Sequence, residues 1–205
     1  MVGLIDYGVG NLFSLTSSFA AVGAQAEIVS TAEGLRRADR LVLPGVGAFR
    51  DAAEKLRETG LVSSLLEEVG NGKPLLGICL GMQMLFEKSY EYGTHAGLGL
   101  LAGSVTPIRD VIPADYKIPQ IGWNALRLIR PDCPIFKDIR DGDHVYFVHS
   151  YHASGCDDSL AAVTEYGGEL TAAVWKDNIY GCQFHPEKSG TVGLSILRAF
   201  CGRPA

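Results

Sequence analysis

The chain has 205 residues, enough for one domain with a full-sized core, and we predict a single domain over residues 1–205. Hydrophobic residues make up 47% and charged residues 20%, a balance that excludes an intrinsically disordered chain. The net charge of -5, without any basic block, gives no support for nucleic-acid binding. No apolar run has the length that a membrane-spanning helix needs, so we predict no membrane contact.

Five cysteines stand far apart in the sequence, at Cys79, Cys133, Cys156, Cys182 and Cys201. Their odd number and wide spacing argue against a disulfide framework, and the lack of a Cys-x-x-Cys pair argues against a zinc site. The first six residues have no basic leader and predict a strand rather than a signal peptide. We therefore expect a cytoplasmic protein with reduced thiols, no metal and no cofactor.

The first half of the chain alternates short apolar runs with stretches of helical periodicity. Strands are predicted over residues 2–5, 26–29, 41–43 and 74–78. Helices are predicted over residues 12–22, 49–58, 61–69 and 82–88, with a polar stretch before the third strand. This order favours a largely parallel sheet with helices on both faces.

The second half has more strands and fewer helices. Strand-like runs at residues 105–108, 126–129, 145–148, 161–164, 172–175 and 179–184 are separated by turn residues such as Asp177-Asn178. These strands are expected to be antiparallel, with hairpins, beside the parallel core. A helix over residues 191–200 follows. The predicted fold is α/β, a mostly parallel central sheet with an antiparallel extension in the C-terminal half.

Gly77-Ile78-Cys79-Leu80-Gly81 is the first stretch that suggests chemistry. A strand, a sharp turn at Cys79 and a following helix form the geometry of a nucleophile elbow, in which the flanking glycines allow close backbone contact. The helix N-terminus beside the sulfur favours a thiolate and can hold an oxyanion. The alternative is a buried structural cysteine in a strand-to-helix turn.

A cysteine nucleophile needs a base, and His185 is the best placed of the five histidines. Pro186 biases His185 towards an extended conformation, and positions two apart in an extended segment share a side. His185 and Glu187 are therefore expected side by side, with the carboxylate orienting the imidazole. His149 and His152 are rival bases, although neither has a carboxylate at the same spacing.

Pro44-Gly45-Val46-Gly47 follows a predicted strand, as the elbow does. Loops after parallel strands converge on one crevice, and glycines let backbone N–H groups approach a ligand closely. The N–H groups of Val46 and Leu80 are thus candidates for an oxyanion hole. Without the elbow, this loop would be interpreted as a plain turn.

Together the glycine loop, the elbow and His185-Pro186-Glu187 resemble the triad, or class I, glutamine amidotransferases, in which cysteine, histidine and glutamate come in this order. The resemblance covers nearly the whole chain and implies a flavodoxin-like α/β fold. Residues 6–12, 118–124 and 185–189 are similar to the glutaminase subunits of imidazole glycerol phosphate synthases, which act in histidine biosynthesis. Gln120 departs from the pattern, because many members have histidine there.

The resemblance implies a Cys79–His185–Glu187 triad that hydrolyses L-glutamine to glutamate and ammonia. It also implies a set of residues that hold the substrate glutamine, namely Gly47, Gln83, Ser150 and Tyr151. The expected partner is a (β/α)8-barrel cyclase subunit, docked over the site in a heterodimer, that receives the ammonia and makes imidazole glycerol phosphate and AICAR. Candidate contacts with it are Trp123, Asn124 and Lys188, although Trp123 would equally suit a core.

Three alternatives remain open from the sequence. The same chemistry could serve another synthase, such as one for anthranilate or vitamin B6. The domain could bind a ligand or partner without catalysis. An unrelated α/β cysteine hydrolase is the third, but its carboxylate normally precedes the histidine, whereas Glu187 follows His185.

Overall fold

The structure is a computed structural model that describes residues 1–202. Its strands, in chain order, are β1 (Val2–Ile5), β2 (Ala26–Val29), β3 (Arg40–Leu43), β4 (Leu75–Ile78), β5 (Phe86–Ser89), β6 (His95–Ala96), β7 (Leu101–Pro107), β8 (Gln120–Ala125), β9 (Arg127–Leu128), β10 (His144–His149), β11 (Tyr151–Ser154), β12 (Leu160–Glu165), β13 (Glu169–Lys176) and β14 (Ile179–Cys182). Its α-helices are α1 (Leu12–Ala21), α2 (Ala32–Arg37), α3 (Phe49–Glu58), α4 (Val62–Gly70), α5 (Leu80–Met84) and α6 (Gly190–Phe200).

Eight strands form the central sheet, in the order β2-β1-β3-β4-β14-β13-β12-β9. The pairs from β2 to β14 are parallel, and those from β14 to β9 are antiparallel. The predicted α/β fold with an antiparallel extension is therefore confirmed. The expectation for residues 179–184 was wrong in one respect, because β14 is antiparallel to β13 but parallel to β4.

Helices cover both faces of this sheet because the strand side chains alternate in direction. Val42 and Leu76 join one hydrophobic cluster, which includes residues of α1 and α6. Leu41, Leu43 and Leu75 point the other way, into a second cluster with residues of α2 to α5. All four residues of β4 are buried, as expected for a central parallel strand.

The predicted helix over residues 82–88 was wrong. Helix α5 ends at Met84, and the next residues form β5, which pairs with β7 in parallel and β6 antiparallel. Pairing with a distant strand overrides the local helical spacing of the apolar side chains. The polar stretch before β3 contains α2, whose N-cap Thr31 accepts a hydrogen bond from the Gly34 N–H.

Two smaller sheets lie outside the central one. Strands β11, β7, β5 and β6 form the first, and β8 pairs with β10 in the second. The strand predicted at residues 126–129 is present only as the short strand β9, and the longer strand β8 precedes it at residues 120–125. Across residues 1–202, no helix is long and apolar enough to cross a bilayer.

The arrangement of β3, β4 and β14 decides where the functional segments meet. These three strands are parallel neighbours, so their carboxyl ends lie at one edge of the sheet. The glycine loop follows β3, Cys79 follows β4, and His185 comes three residues after β14. The parallel direction of β14 therefore brings His185 to the edge that carries Cys79.

Candidate active site

Cys79 lies in a strained turn between β4 and α5. Its φ of 54° and ψ of -113° are unusual for a residue with a side chain, and such strain typically costs about 1–3 kcal/mol. Its N–H donates to the Cys182 carbonyl at 2.7 Å, and its own carbonyl accepts from the Gln83 N–H at 3.2 Å. Both strand pairing and the first helical turn thus hold the strained residue in place.

The glycines on either side of Cys79 are sterically required. A Cβ at Gly77 would lie 2.7 Å from the carbonyl oxygen of Gly81, and a Cβ at Gly81 would overlap the carbonyl of Leu43. Neither position can hold a side chain unless backbone moves. The close approach predicted for the elbow is present, and it extends to the end of β3.

His185 and Glu187 are in contact, as the sequence predicted. Nδ1 of His185 lies 2.7 Å from Oε1 of Glu187, and both side chains are buried. Burial opposes a charge on the ring, but the Cys79 sulfur and the Glu187 carboxylate outweigh it and raise the pKa of His185 to about 9. Among the described residues Nε2 has no hydrogen-bond partner, so it remains available to a reacting group.

The raised pKa of His185 predicts a pH-dependent stability. Because it lies above the ordinary value of 6.5, the protonated ring stabilises the fold fully below pH 6.5, and this contribution disappears as the pH rises through about 9. The difference in unfolding free energy between wild type and His185→Gln should therefore shrink by about 3 kcal/mol between pH 6 and pH 10. Urea titrations across this range measure it.

Glu187→Gln provides the comparison for that experiment. Without the carboxylate, the imidazolium loses a favourable neighbour, so the pH-dependent part of the His185→Gln effect should be smaller in this background. A His185→Gln effect that stays constant from pH 6 to pH 10 would contradict a protonated His185 in the folded protein.

The glycine loop packs against the elbow. A Cβ at Gly45 would lie 2.8 Å from the Gly81 nitrogen, and the Tyr7 hydroxyl donates to the Pro44 carbonyl at 2.5 Å. Burial, with a further contribution from Cys79, raises the pKa of Tyr7. Gly47 has a φ of +92° and open space around it. The loop is therefore anchored at Pro44 and Gly45 and less constrained at Gly47.

A cavity of about 410 Å³ opens over the Cys79 sulfur. Most residues named from the sequence line it: Val46, Gly47, Cys79, Leu80, Gln83, Ser150, Tyr151 and His185. Glu187 lies behind His185. The structure therefore brings the predicted nucleophile, base, oxyanion and substrate-binding residues around one space of a size typical for small-molecule sites.

Three polar residues at the site were missed. Glu91 lines the cavity and accepts a hydrogen bond from the Phe49 N–H at 2.6 Å. Gln183, fully buried, points its amide nitrogen at the Cys79 sulfur at 3.8 Å. The Ser189 hydroxyl donates to the His185 carbonyl at 2.6 Å and accepts from the Tyr146 N–H. Of these three residues, only Ser189 belongs to a recognisable sequence motif, the His-Pro-Glu-Lys-Ser run.

The two rival bases have other surroundings. His149 lines the cavity, but its ring nitrogens contact the Tyr151 carbonyl and Gln120. Both ring nitrogens of His152 are buried, without a partner among the described residues. Burial is the main cause that lowers the pKa of each to about 4, so both are neutral at pH 7. Neither ring is hydrogen-bonded to a carboxylate, unlike His185.

The three candidate partner contacts differ in exposure. Trp123 is 53% exposed, which excludes the core position that its side chain would equally have suited. Its ring contacts that of Tyr146 edge-on at 6.1 Å, and the Lys188 ammonium lies 5.9 Å from the Tyr146 ring centre. We call Trp123, Tyr146 and Lys188 the surface cluster. Asn124 is half-buried and its carboxamide bonds to Gln120.

Known proteins share both the sequence and the fold. Residues 3–202 match the family model for Glutamine amidotransferase class-I. Imidazole glycerol phosphate synthase subunit HisH of Caldanaerobacter subterraneus subsp. tengcongensis is 50% identical over 201 residues, covering 98% of this chain and 97% of its own. The protein of the same name from Wolinella succinogenes is 47% identical over 203 residues, covering 98% of each chain.

A solved structure provides a comparison of fold alone. A chain in the structure of PurLQS from Thermotoga maritima superposes with a TM-score of 0.77 and covers 98% of this chain and 97% of its own. The two sequences are only 18% identical. The likeness thus extends over the whole α/β architecture, including its antiparallel part.

Proposed function

Because the chain belongs to the class I glutamine amidotransferases, and among them to the family of imidazole glycerol phosphate synthase subunit HisH, we propose that it hydrolyses L-glutamine to glutamate and ammonia for that synthase. The observation that carries the proposal is the arrangement around the cavity. Cys79 lies on a glycine-flanked elbow and lines it, and His185, hydrogen-bonded to Glu187, lines it as well. The family match over residues 3–202 supports one amidotransferase domain across residues 1–205.

The first half-reaction forms a thioester. The Cys79 thiolate attacks the side-chain carboxamide carbon of glutamine, and the negative charge moves to the carbonyl oxygen. The N–H groups of Leu80 and Val46 stabilise this oxyanion, an effect worth about 3–4 kcal/mol per donor. His185, protonated at neutral pH and held by Glu187, gives its proton to the departing nitrogen, which leaves as ammonia.

The second half-reaction restores the enzyme. His185, now neutral, takes a proton from water while the water oxygen attacks the thioester carbon. The oxyanion forms again at the same N–H groups, the C–S bond breaks, and glutamate leaves. Glu187 stabilises the imidazolium that returns, so one histidine serves as acid and then as base.

The cavity lining supports glutamine as the proposed substrate. Gly47, Gln83, Ser150 and Tyr151 are proposed to hold glutamine, since all four line the space around Cys79. Glu91 adds a carboxylate to this lining, opposite in charge to the α-ammonium group of an amino acid. The sulfur, the imidazole and the carboxylate of Glu91 thus border one volume.

The chain works as a glutaminase subunit with a synthase subunit, and the finer proposal concerns that partner. Ammonia released into neutral water is mostly protonated and no longer nucleophilic, so a synthesis needs it delivered directly. We infer a cytoplasmic heterodimer with a (β/α)8-barrel cyclase, docked over the cavity, that uses the ammonia to make imidazole glycerol phosphate and AICAR in histidine biosynthesis. The names of the relatives favour this synthase over one for anthranilate or vitamin B6.

The test of the proposed function is a coupled assay. Glutamate release from L-glutamine is measured for the chain alone, with the cyclase, and with the cyclase and its nucleotide substrate. We expect the rate to rise when partner and nucleotide are both present, because the family couples hydrolysis to the acceptor site. An unchanged rate would contradict the coupling of hydrolysis to the acceptor site. No glutamate release under any of the three conditions would contradict the proposed function.

The surface cluster makes a separate prediction about docking. Replacing Trp123 or Lys188 with alanine should raise the Kd of the complex about tenfold or more, since aromatic anchors carry much of the binding energy of an interface and removing one partner of a charge pair buried by docking is costly. Lys176→Ala is the matched control, because Lys176 is also exposed and pairs with Ile179 at the opposite edge of the sheet. Isothermal titration of each variant with the cyclase measures the Kd. Equal affinities for all three variants would place the interface elsewhere.

A further inference from the structure

Two buried side chains, His149 in the cavity lining and Gln120 behind it, have no part in the proposed chemistry. Gln120 is fully buried at the start of β8, and His149 is 6% exposed at the end of the neighbouring strand β10. Nδ1 of His149 lies 2.8 Å from the Tyr151 carbonyl, and Nε2 lies 2.9 Å from Oε1 of Gln120. Nε2 of Gln120 lies 3.0 Å from Oδ1 of Asn124. Buried polar groups in such a chain need matched donors and acceptors.

The hydrogen on the His149 ring is fixed by its first partner. A carbonyl oxygen only accepts, so Nδ1 carries the hydrogen and donates to Tyr151. Burial, and to a lesser extent the rings of His152 and His185, lower the pKa of His149 to about 4 although the Tyr151 carbonyl opposes the shift. The ring is therefore neutral at pH 7, and Nε2 presents a lone pair.

That lone pair decides the orientation of Gln120. A neutral Nε2 needs a donor, and only the NH2 end of a carboxamide can supply one. The nitrogen and oxygen of a carboxamide are nearly equal in size, so hydrogen bonding alone selects between its two orientations. The nitrogen and oxygen of the Gln120 carboxamide are therefore exchanged relative to their positions in the structure, and those of Asn124 with them. In this assignment the Gln120 nitrogen donates to His149, and its oxygen accepts from the Asn124 amide nitrogen. Exchanging the two ends of Asn124 removes its long 3.5 Å hydrogen bond to the Glu165 carbonyl and places its oxygen there instead.

The Tyr151 carbonyl, which accepts from His149, also contacts the cavity residue Gln83. It accepts a second hydrogen bond, at 3.0 Å, from the Gln83 amide nitrogen, whose other contact is the Gln183 side-chain oxygen at 2.9 Å. Both hydrogens of the Gln83 nitrogen are thus used inside the protein. Its carboxamide oxygen is the end left to accept a hydrogen bond in the cavity.

We propose that Gln120 and His149 are positioning residues for the substrate: Gln120 donates to His149, His149 donates to the Tyr151 carbonyl, and that carbonyl holds Gln83 with its oxygen towards an N–H of glutamine. The proposal rests on the proposed function, because it takes glutamine as the ligand of the cavity. It gives the neutral His149 a task other than that of a base.

Two substitutions of Gln120 separate this role from general packing. Gln120→Leu removes the donor to Nε2 and leaves the ring without a fixed orientation. Gln120→Glu keeps a partner in either protonation state, since a carboxylic acid donates to neutral imidazole and a carboxylate accepts from imidazolium. Affinity for L-glutamine should fall about tenfold in Gln120→Leu, equal to about 1.4 kcal/mol, and stay within about threefold in Gln120→Glu.

Binding is measured by calorimetry in the complex, with Cys79→Ala in every chain so that no glutamine is consumed. Thr164→Val is the matched control. It deletes a buried hydrogen bond to the Ala125 carbonyl at the far end of β8, and it should leave glutamine affinity unchanged. Long-range ¹H–¹⁵N spectra of the chain without Gln120 substitutions should show His149 protonated at Nδ1 alone at pH 7.5.

Equal glutamine affinity in Gln120→Leu and Gln120→Glu overturns the inference, as does a His149 that carries its hydrogen on Nε2. These outcomes differ from failure of the proposed function. If the proposed function is wrong, the Cys79→Ala chain with the native Gln120 binds no glutamine at all, whatever the tautomer of His149.

Discussion

Replacing Cys79 with alanine is expected to lower glutamine-dependent synthesis by the complex about 10⁴-fold or more, while synthesis from added ammonium salts continues. The size follows from losing the nucleophile of a triad, whose members act as one unit. Ammonia bypasses the glutaminase and reaches the acceptor site directly. Both rates are measured on the same complex, with L-glutamine and with an ammonium salt.

Cys156→Ala is the matched control for that experiment. Cys156 is also buried, but its sulfur contacts the Thr171 hydroxyl, outside the cavity over Cys79. Its loss should leave both nitrogen sources in use. If Cys79→Ala abolished synthesis from ammonium as well, the residue would be needed for the complex itself. That result would contradict a role of Cys79 in glutamine hydrolysis alone.

Replacing Gly81 with alanine is expected to cost about 4 kcal/mol or more of stability. The new methyl group would overlap the Leu43 carbonyl, so β3 and the elbow would have to separate at the centre of the sheet. For a chain of this length the melting temperature should drop by roughly 8–16 °C. Thermal unfolding followed by circular dichroism measures the shift.

Gly70→Ala tests whether the effect is specific to Gly81. Gly70 also lies in a helix, but a Cβ there meets nothing within 4 Å. That variant should be as stable as wild type or slightly more so, because alanine favours a helix by about 1 kcal/mol over glycine. Equal melting temperatures for the two variants would show that the backbone at Gly81 can move aside without cost.

The parallel half of the fold was predictable because its strands and helices follow each other locally. Residues 2–5, 26–29 and 49–58 match the observed elements, since each has one clear periodicity. The direction of β14 was not predictable. Its hairpin with β13 is local and visible in the sequence, whereas its pairing with β4 joins segments about a hundred residues apart.

The site divides in the same way. Cys79, His185 and Glu187 are identified by short motifs, because their chemistry depends on neighbours one or two positions away. Gln183 and Glu91 are not, since their contacts with Cys79 and Phe49 exist only after the sheet has formed. A buried glutamine and a loop glutamate have no local pattern that distinguishes them from ordinary polar residues.

The position of β14 also bears on how the protein is synthesised. The ribosome releases β1 to β4 and Cys79 long before residues 179–187, so the growing chain first holds a nucleophile without its base. Until β14 arrives, the buried strand β4 has one unpaired edge, of the kind that pairs with other chains. We therefore expect a chain that stops before residue 179 to be inert towards glutamine and prone to aggregate. Pairing of β14 with β4 and the arrival of His185 beside Cys79 are therefore one event.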